Sequence, residues 1–95
     1  MKVLAIEKEI EGALWENSDD LLKLEAQHVF HLYLSGSLRE IYFTESKNAV
    51  VVLETKDRET AEGLLDSLPL VKAGKIKFEI LELMPYTGYE RIVNK

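Results

Sequence analysis

Apolar and polar residues alternate from Lys2 to Ile10, with Leu4, Ile6 and Ile10 on one side and Val3, Ala5, Glu7 and Glu9 on the other. This period of two predicts a first strand. After Gly12, the run Asn17, Ser18, Asp19 and Asp20 offers capping oxygens and negative charge where a helix dipole favours both. A helix follows, with Leu22, Ala26, Val29, Phe30 and Tyr33 at spacings of three and four, ended by Ser35, Gly36 and Ser37. Leu21, Leu24 and Leu32 widen its apolar arc, which predicts contact with more than one surface. Two strands, 38–45 and 49–56, flank Ser46, Lys47 and Asn48, a hairpin loop in which Asn48 tolerates a left-handed conformation. The run Ala49 to Leu53 is apolar without alternation and predicts a strand buried on both faces. A second helix spans 57–68, with Asp57 as N-cap and Ala61, Leu64, Leu65 and Leu68 inward, and Pro69 stops it. Residues 75–84 alternate again as a fourth strand, and 86–95 form a tail with two tyrosines.

Strand, helix, strand, strand, helix, strand is the split βαβ order of a ferredoxin-like α+β fold. Right-handed crossovers place both helices on one face of a four-stranded antiparallel sheet and leave the other face bare. With Tyr42, Val50 and Val52 on that face, a monomer exposes a contiguous apolar patch. A homodimer packing sheet on sheet, with the tail lying on the partner, is the expected remedy.

Ninety-five residues hold one domain, 1–95. No apolar run reaches the roughly 18 residues of a membrane span, and the charged first ten residues differ from a signal peptide, so a cytoplasmic protein away from membranes is expected. The absence of cysteine removes thiolate chemistry and zinc ribbons. Twelve basic and seventeen acidic residues give a net charge of -5, which argues against a phosphate-backbone partner. The third strand also lacks the stacking aromatics of an RNA-binding sheet, so no nucleic acid is expected as partner.

A three-residue hairpin loop sets Tyr42 opposite Val52 and Glu40 opposite Glu54. Facing carboxylates repel, and burial raises the pKa further, so one of them can hold a proton near neutrality and work as acid or base. Neutralisation by Lys56, Arg39 or solvent is the structural alternative, and a two-residue loop would put the two glutamates on opposite faces. His28 and His31 stand three apart on the first helix, but no third ligand is fixed by spacing, so no metal is expected. His28 lies at the edge of the helix's apolar stripe, where it suits proton transfer. Arg39 can clamp a carboxylate with a fork of donors or form a surface ion pair. No glycine-rich phosphate loop and no nucleophile elbow occurs.

The run Leu68-Pro69-Leu70-Val71-Lys72-Ala73-Gly74, the strand Ile76 to Ile80 and the tail Pro85-Tyr86-Thr87-Gly88-Tyr89-Glu90-Arg91 become more specific when joined to Gly36, Leu38, Arg39, Glu40, Tyr42 and Val50 to Glu54. Together they resemble the small muconolactone isomerase-like proteins over most of the chain from Glu25 to Ile92. The resemblance implies a ferredoxin-like subunit of the dimeric α+β barrel superfamily, with sheets paired between copies and no bound cofactor. The first strand and the tail differ from those of muconolactone isomerases themselves, so no catalytic set is carried over. The function this resemblance implies is a cofactor-free isomerase moving a proton on a small unsaturated or lactone-like acid held between sheet and first helix. Glu54 is the expected base, Tyr42 the donor to the developing enolate and His28 a substitute base. Arg39, Tyr33 and Glu40 are the expected substrate-binding groups. The rival is a non-catalytic dimer that binds a small ligand or a protein partner.

Overall fold

The computed structural model describes residues 1–93. Among them, β1 (Lys2–Glu9), α1 (Asp19–Leu34), β2 (Leu38–Phe43), β3 (Ala49–Glu54), α2 (Arg58–Asp66), α3 (Pro69–Lys72), β4 (Ile76–Leu83) and α4 (Glu90–Val93) follow in order. The strands form one sheet in the order β2-β3-β1-β4, with every neighbouring pair antiparallel. This is the ferredoxin-like α+β fold that the element order predicts. The tail's last two residues, 94–95, lie outside the described residues.

Period two in the strands divides the sheet into two faces. Val3 pairs with Leu53 and Ala5 with Val51, and all four are buried beneath the helices. Leu38, Ala49, Ala61, Leu65 and Leu68 complete this core, and Val29, Leu32, Val71, Phe78 and Ile80 pack around it. The opposite face presents Leu4 beside Val52 and Ile6 beside Val50, with Leu81 across from Leu4 and Tyr42 across from Val50. Among the described residues no helix covers this face, and Tyr42 and Leu81 are exposed.

Three local features differ from the sequence expectation. The hairpin pairs Phe43 with Ala49 and Tyr42 with Val50, a register two residues away from the predicted one, because the connection is five residues long. Thr44 N–H donates to Asn48 O and Lys47 N–H to Thr44 O inside that connection. Lys47, with φ of 63°, takes the left-handed position expected of Asn48. In α1 the partly buried positions are Leu21, Glu25, His28, Val29 and Leu32, whereas Leu22, Phe30 and Tyr33 are exposed. The inner stripe therefore contains a carboxylate that hydrophobic periodicity alone passes over. Finally, α2 ends at Asp66 and Pro69 opens α3 instead of only stopping the preceding helix. Proline is suited to a first helical position because its missing N–H is not needed there.

Candidate functional site

A cavity of about 580 Å³ opens between α1 and the helix-facing side of the sheet, at the end carrying the β2–β3 connection. Leu22 and Val29 of α1, Ile41 and Phe43 of β2, Trp15 and Leu70 form its apolar walls. Ser46, Lys47 and Asn48 stand at its rim, and Glu7, Glu9 and Glu25 supply carboxylates.

Each carboxylate is held by local necessity. Glu7 shares the inward parity of Val3 and Ala5, and its Oε1 accepts the Ala49 N–H at 3.1 Å just beyond the last β1–β3 pair, Ile6 with Val50. Glu25 reaches from α1 to α3, where its Oε1 accepts the Leu70 N–H at 2.9 Å. That donor is in the first turn of a helix and has no intrahelical acceptor. Trp15 Nε1 donates to Glu9 Oε1 at 2.6 Å, tying the indole to the mouth. Among the described residues Glu7 and Glu25 have no protein donor on Oε2.

Glu25 is half-buried, and burial pushes its carboxyl above the ordinary carboxylate value. The Leu70 N–H and the neighbouring His28 act downwards, whereas the Glu7 carboxylate adds to the rise. A carboxyl group whose pKa is raised is a stronger base when ionised.

The six residues singled out from the sequence lie outside this cavity, so their expected convergence between sheet and first helix does not occur within one subunit. Glu40, Tyr42 and Glu54 alternate onto the bare face. Glu40 of β2 faces Val52 of β3, and Glu54 lies two residues further along β3 opposite Lys2 of β1, so the two carboxylates are not directly opposed. Tyr42 OH donates to Glu40 Oε1 at 3.0 Å, and that hydrogen bond and charge hold the phenol above its usual value. Glu54 Oε2 lies 2.8 Å from the Met1 amine, whose hydrogen bond lowers the carboxyl pKa, with help from Lys2 and Arg39. Together with Lys2, Leu83 and Pro85 it borders a shallower hollow on the bare face. Arg39 sits at a β-bulge between Leu38 and Glu40 and donates from Nε to Gly36 O at 2.7 Å.

His28 Nε2 lies 3.1 Å from Ser67 Oγ. Ser67 already donates its one hydroxyl proton to Leu64 O, so His28 Nε2 is the donor in this contact and Ser67 Oγ the acceptor. His31 is exposed in the last turn of α1. Tyr33 is exposed and stacks on Phe30 with ring centroids 6.5 Å apart. Among the described residues no group of three or more His, Asp or Glu side chains is placed to hold a metal ion. Glu7 and Glu25 escaped the sequence reading, although two signals pointed to them. Glu7 has the parity of the buried β1 residues, and Glu25 lies four residues from both Leu21 and Val29.

No protein-family model matches the chain. No curated protein matches it either. Among solved structures, it resembles 5-chloro-2-hydroxyhydroquinone dehydrochlorinase from Burkholderia phenoliruptrix AC1100, determined in complex with 2,5-dihydroxybenzoquinone. The TM-score is 0.63 at 14% identity, over 93% of this chain and 98% of that one. At this identity the likeness establishes the shared fold. The neighbour is a small enzyme that holds a small-molecule ligand.

Proposed function

We propose that this chain is a homodimeric, muconolactone isomerase-like enzyme that shifts a proton on a small unsaturated or lactone-like molecule inside the cavity between α1 and the sheet. The observation that carries the reading is Glu25, a half-buried carboxylate with an unengaged oxygen in an apolar chamber. In a 1,3 shift, Glu25 Oε2 takes a proton as one C–H bond breaks and the double bond moves. It returns the proton to the carbon at the far end, so the carboxylate is regenerated and no outside oxidant or reductant is needed. The cavity falls within the range of about 300–1,000 Å³ typical of small-ligand pockets. The neighbour of the same fold, which binds a small quinone, is consistent with this use of the architecture.

The dimer part of the reading rests on surface. Leu4, Ile6, Val50, Val52 and Leu81 share the uncovered face, and Met84, Tyr86, Tyr89, Ile92 and Val93 are exposed beyond β4. The longest dimension is 62 Å against 27 and 22 Å. The radius of gyration is 15.8 Å, against about 12 Å expected for a compact chain of this length. A second copy packed on the sheet would cover the face and receive the tail. Glu40, Tyr42, Arg39 and Glu54 would then serve at that interface. A non-catalytic binding dimer is the second reading, favoured by the internal pairing of Tyr42 with Glu40 and of Glu54 with the amine.

The enzyme reading is tested by a thermal-shift screen of small unsaturated and lactone-like compounds, since a ligand selective for the folded state raises the midpoint. Hits are expected to disappear when Leu22→Trp fills the chamber. Turnover of a hit is expected to vanish in Glu25→Gln while the circular dichroism spectrum is kept. Hits that survive the filled chamber, or turnover that survives the glutamine, overturn it.

A further inference from the structure

The cavity's polar lining is one-sided. Glu7, Glu9 and Glu25 contribute three carboxylates, and Lys47, exposed on the β2–β3 connection, is the one basic side chain among the described lining residues. Arg39, the group suited to clamp a substrate carboxylate, is engaged with Gly36 O outside the cavity. The remaining walls are apolar and include the Trp15 and Phe43 rings.

From this asymmetry we infer that the cavity takes an uncharged ring compound carrying hydroxyl donors, such as a dihydroxylated ring, in place of a carboxylic acid. The inference rests on the cavity being the ligand site and adds the class of ligand. An acid entering it would bring like charge towards Glu7 and Glu25, where no guanidinium compensates. A hydroxyl reverses the sign of the contact. It donates to a carboxylate oxygen in a charge-assisted hydrogen bond and carries no net charge to desolvate.

The two carboxylates are equipped for such a contact. Each has Oε1 fixed by a backbone N–H, from Ala49 or from Leu70, which restrains the group and leaves Oε2 as an acceptor. An ammonium ion is a poorer fit. It has three donors to satisfy, against the two Oε2 acceptors that Glu7 and Glu25 leave open. Apolar walls around fixed acceptors suit a flat ring with hydroxyls on its edge.

The experiment titrates the full chain at pH 7 with 1,4-dihydroxybenzene, benzoate and benzylamine, following the indole N–H resonance of Trp15, the single tryptophan. The diol is expected to shift that resonance and to bind at least tenfold more tightly than benzoate or benzylamine. Glu7→Gln and Glu25→Gln keep an amide oxygen for the Ala49 and Leu70 N–H groups but replace the second acceptor with an NH₂ donor. Each is expected to lower the diol-to-benzoate affinity ratio by tenfold or more while the methyl spectrum of the core stays intact. If benzoate or benzylamine shifts Trp15 at equal or lower concentration than the diol, the ligand class is overturned and the cavity stands as a site. Unchanged selectivity in both glutamine variants overturns the carboxylate assignment. If none of the three probes shifts Trp15, the class fails, while a screening hit abolished by Leu22→Trp would still uphold the cavity.

Discussion

Glu25 on α1 accepts the Leu70 N–H at 2.9 Å and so joins two helices through residues forty-five apart in the chain. The same carboxylate borders the cavity, which makes it both a structural cap and a candidate proton carrier. These two duties pull against each other. The cap needs an acceptor, and burial favours the protonated group.

The pH dependence of stability follows from that conflict. Burial raises the folded-state pKa of Glu25 above the ordinary 4.5, so the folded chain holds this proton more tightly than the unfolded one. Its contribution is most favourable below that ordinary value and is lost as pH rises through the raised folded value. Glu25→Gln, which keeps an acceptor for Leu70, is therefore expected to gain stability relative to the parent as pH rises from about 4 to 7. Paired urea melts across that range check it. A difference that stays flat or moves the other way shows that Glu25 is not held towards its neutral form.

Asp57 behaves in the opposite sense. Its Oδ1 accepts the Thr60 N–H at 2.8 Å at the start of α2, and the Thr60 side chain together with this backbone bond lowers the pKa below its ordinary value. The cap's contribution is present above the unfolded pKa and is lost as pH falls through the lowered folded value. Asp57→Ala is expected to lower the melting temperature at pH 7 and to converge on the parent at strongly acid pH. Asp57→Asn, which retains a capping oxygen, is expected to lose less. Calorimetric scans of the three proteins at pH 7 and near pH 2 make the comparison.

Much of the fold was legible because each strand has a clear period and each turn has its own punctuation. The apolar run Ala49 to Leu53 lies between β2 and β1, but it is not buried on both faces as expected: Ala49, Val51 and Leu53 are buried, whereas Val50 and Val52 are half-buried on the uncovered face. The hairpin register was not legible, since Thr44 and Glu45 suit a strand as well as a loop and a backbone bond from Lys47 to Thr44 decides the matter. The site was harder still. Glu7 and Glu25 are ordinary surface residues by composition, and their setting depends on Ala49 and Leu70, forty-two and forty-five residues away. Glu40 and Glu54 drew attention through an assumed pairing that a two-residue register shift removes.

Core packing gives a quantitative prediction. Leu53 is fully buried, pairs with Val3 and sits among the apolar residues beneath the helices. Leu53→Ala removes three carbons and leaves a cavity that the neighbours only partly fill, at a cost of about 2–5 kcal/mol. Chemical denaturation reads this directly. A loss below about 1 kcal/mol would mean that the sheet and helices repack around the missing side chain.

The uncovered face gives the last prediction. Val52 lies between Leu4 of β1 and Glu40 of β2, on the side that no helix covers, so a charge placed there enters open solvent in a monomer but an apolar seam in a sheet-to-sheet dimer. Val52→Glu is therefore expected to shift sedimentation from dimer to monomer at micromolar concentration, with helical circular dichroism retained because the buried face is untouched. Removal of residues 86–95 should act differently. The described backbone hydrogen bonds in that segment, from Glu90 to Thr87, Arg91 to Gly88, and Ile92 and Val93 to Tyr89, are local to it. Truncation should leave the subunit folded and weaken dimerisation by at least tenfold if Tyr86, Tyr89 and Ile92 rest on the partner. A parent chain that sediments as a monomer at micromolar concentration rules out the dimer. A truncated chain that dimerises as tightly as the parent confines the interface to the sheet face.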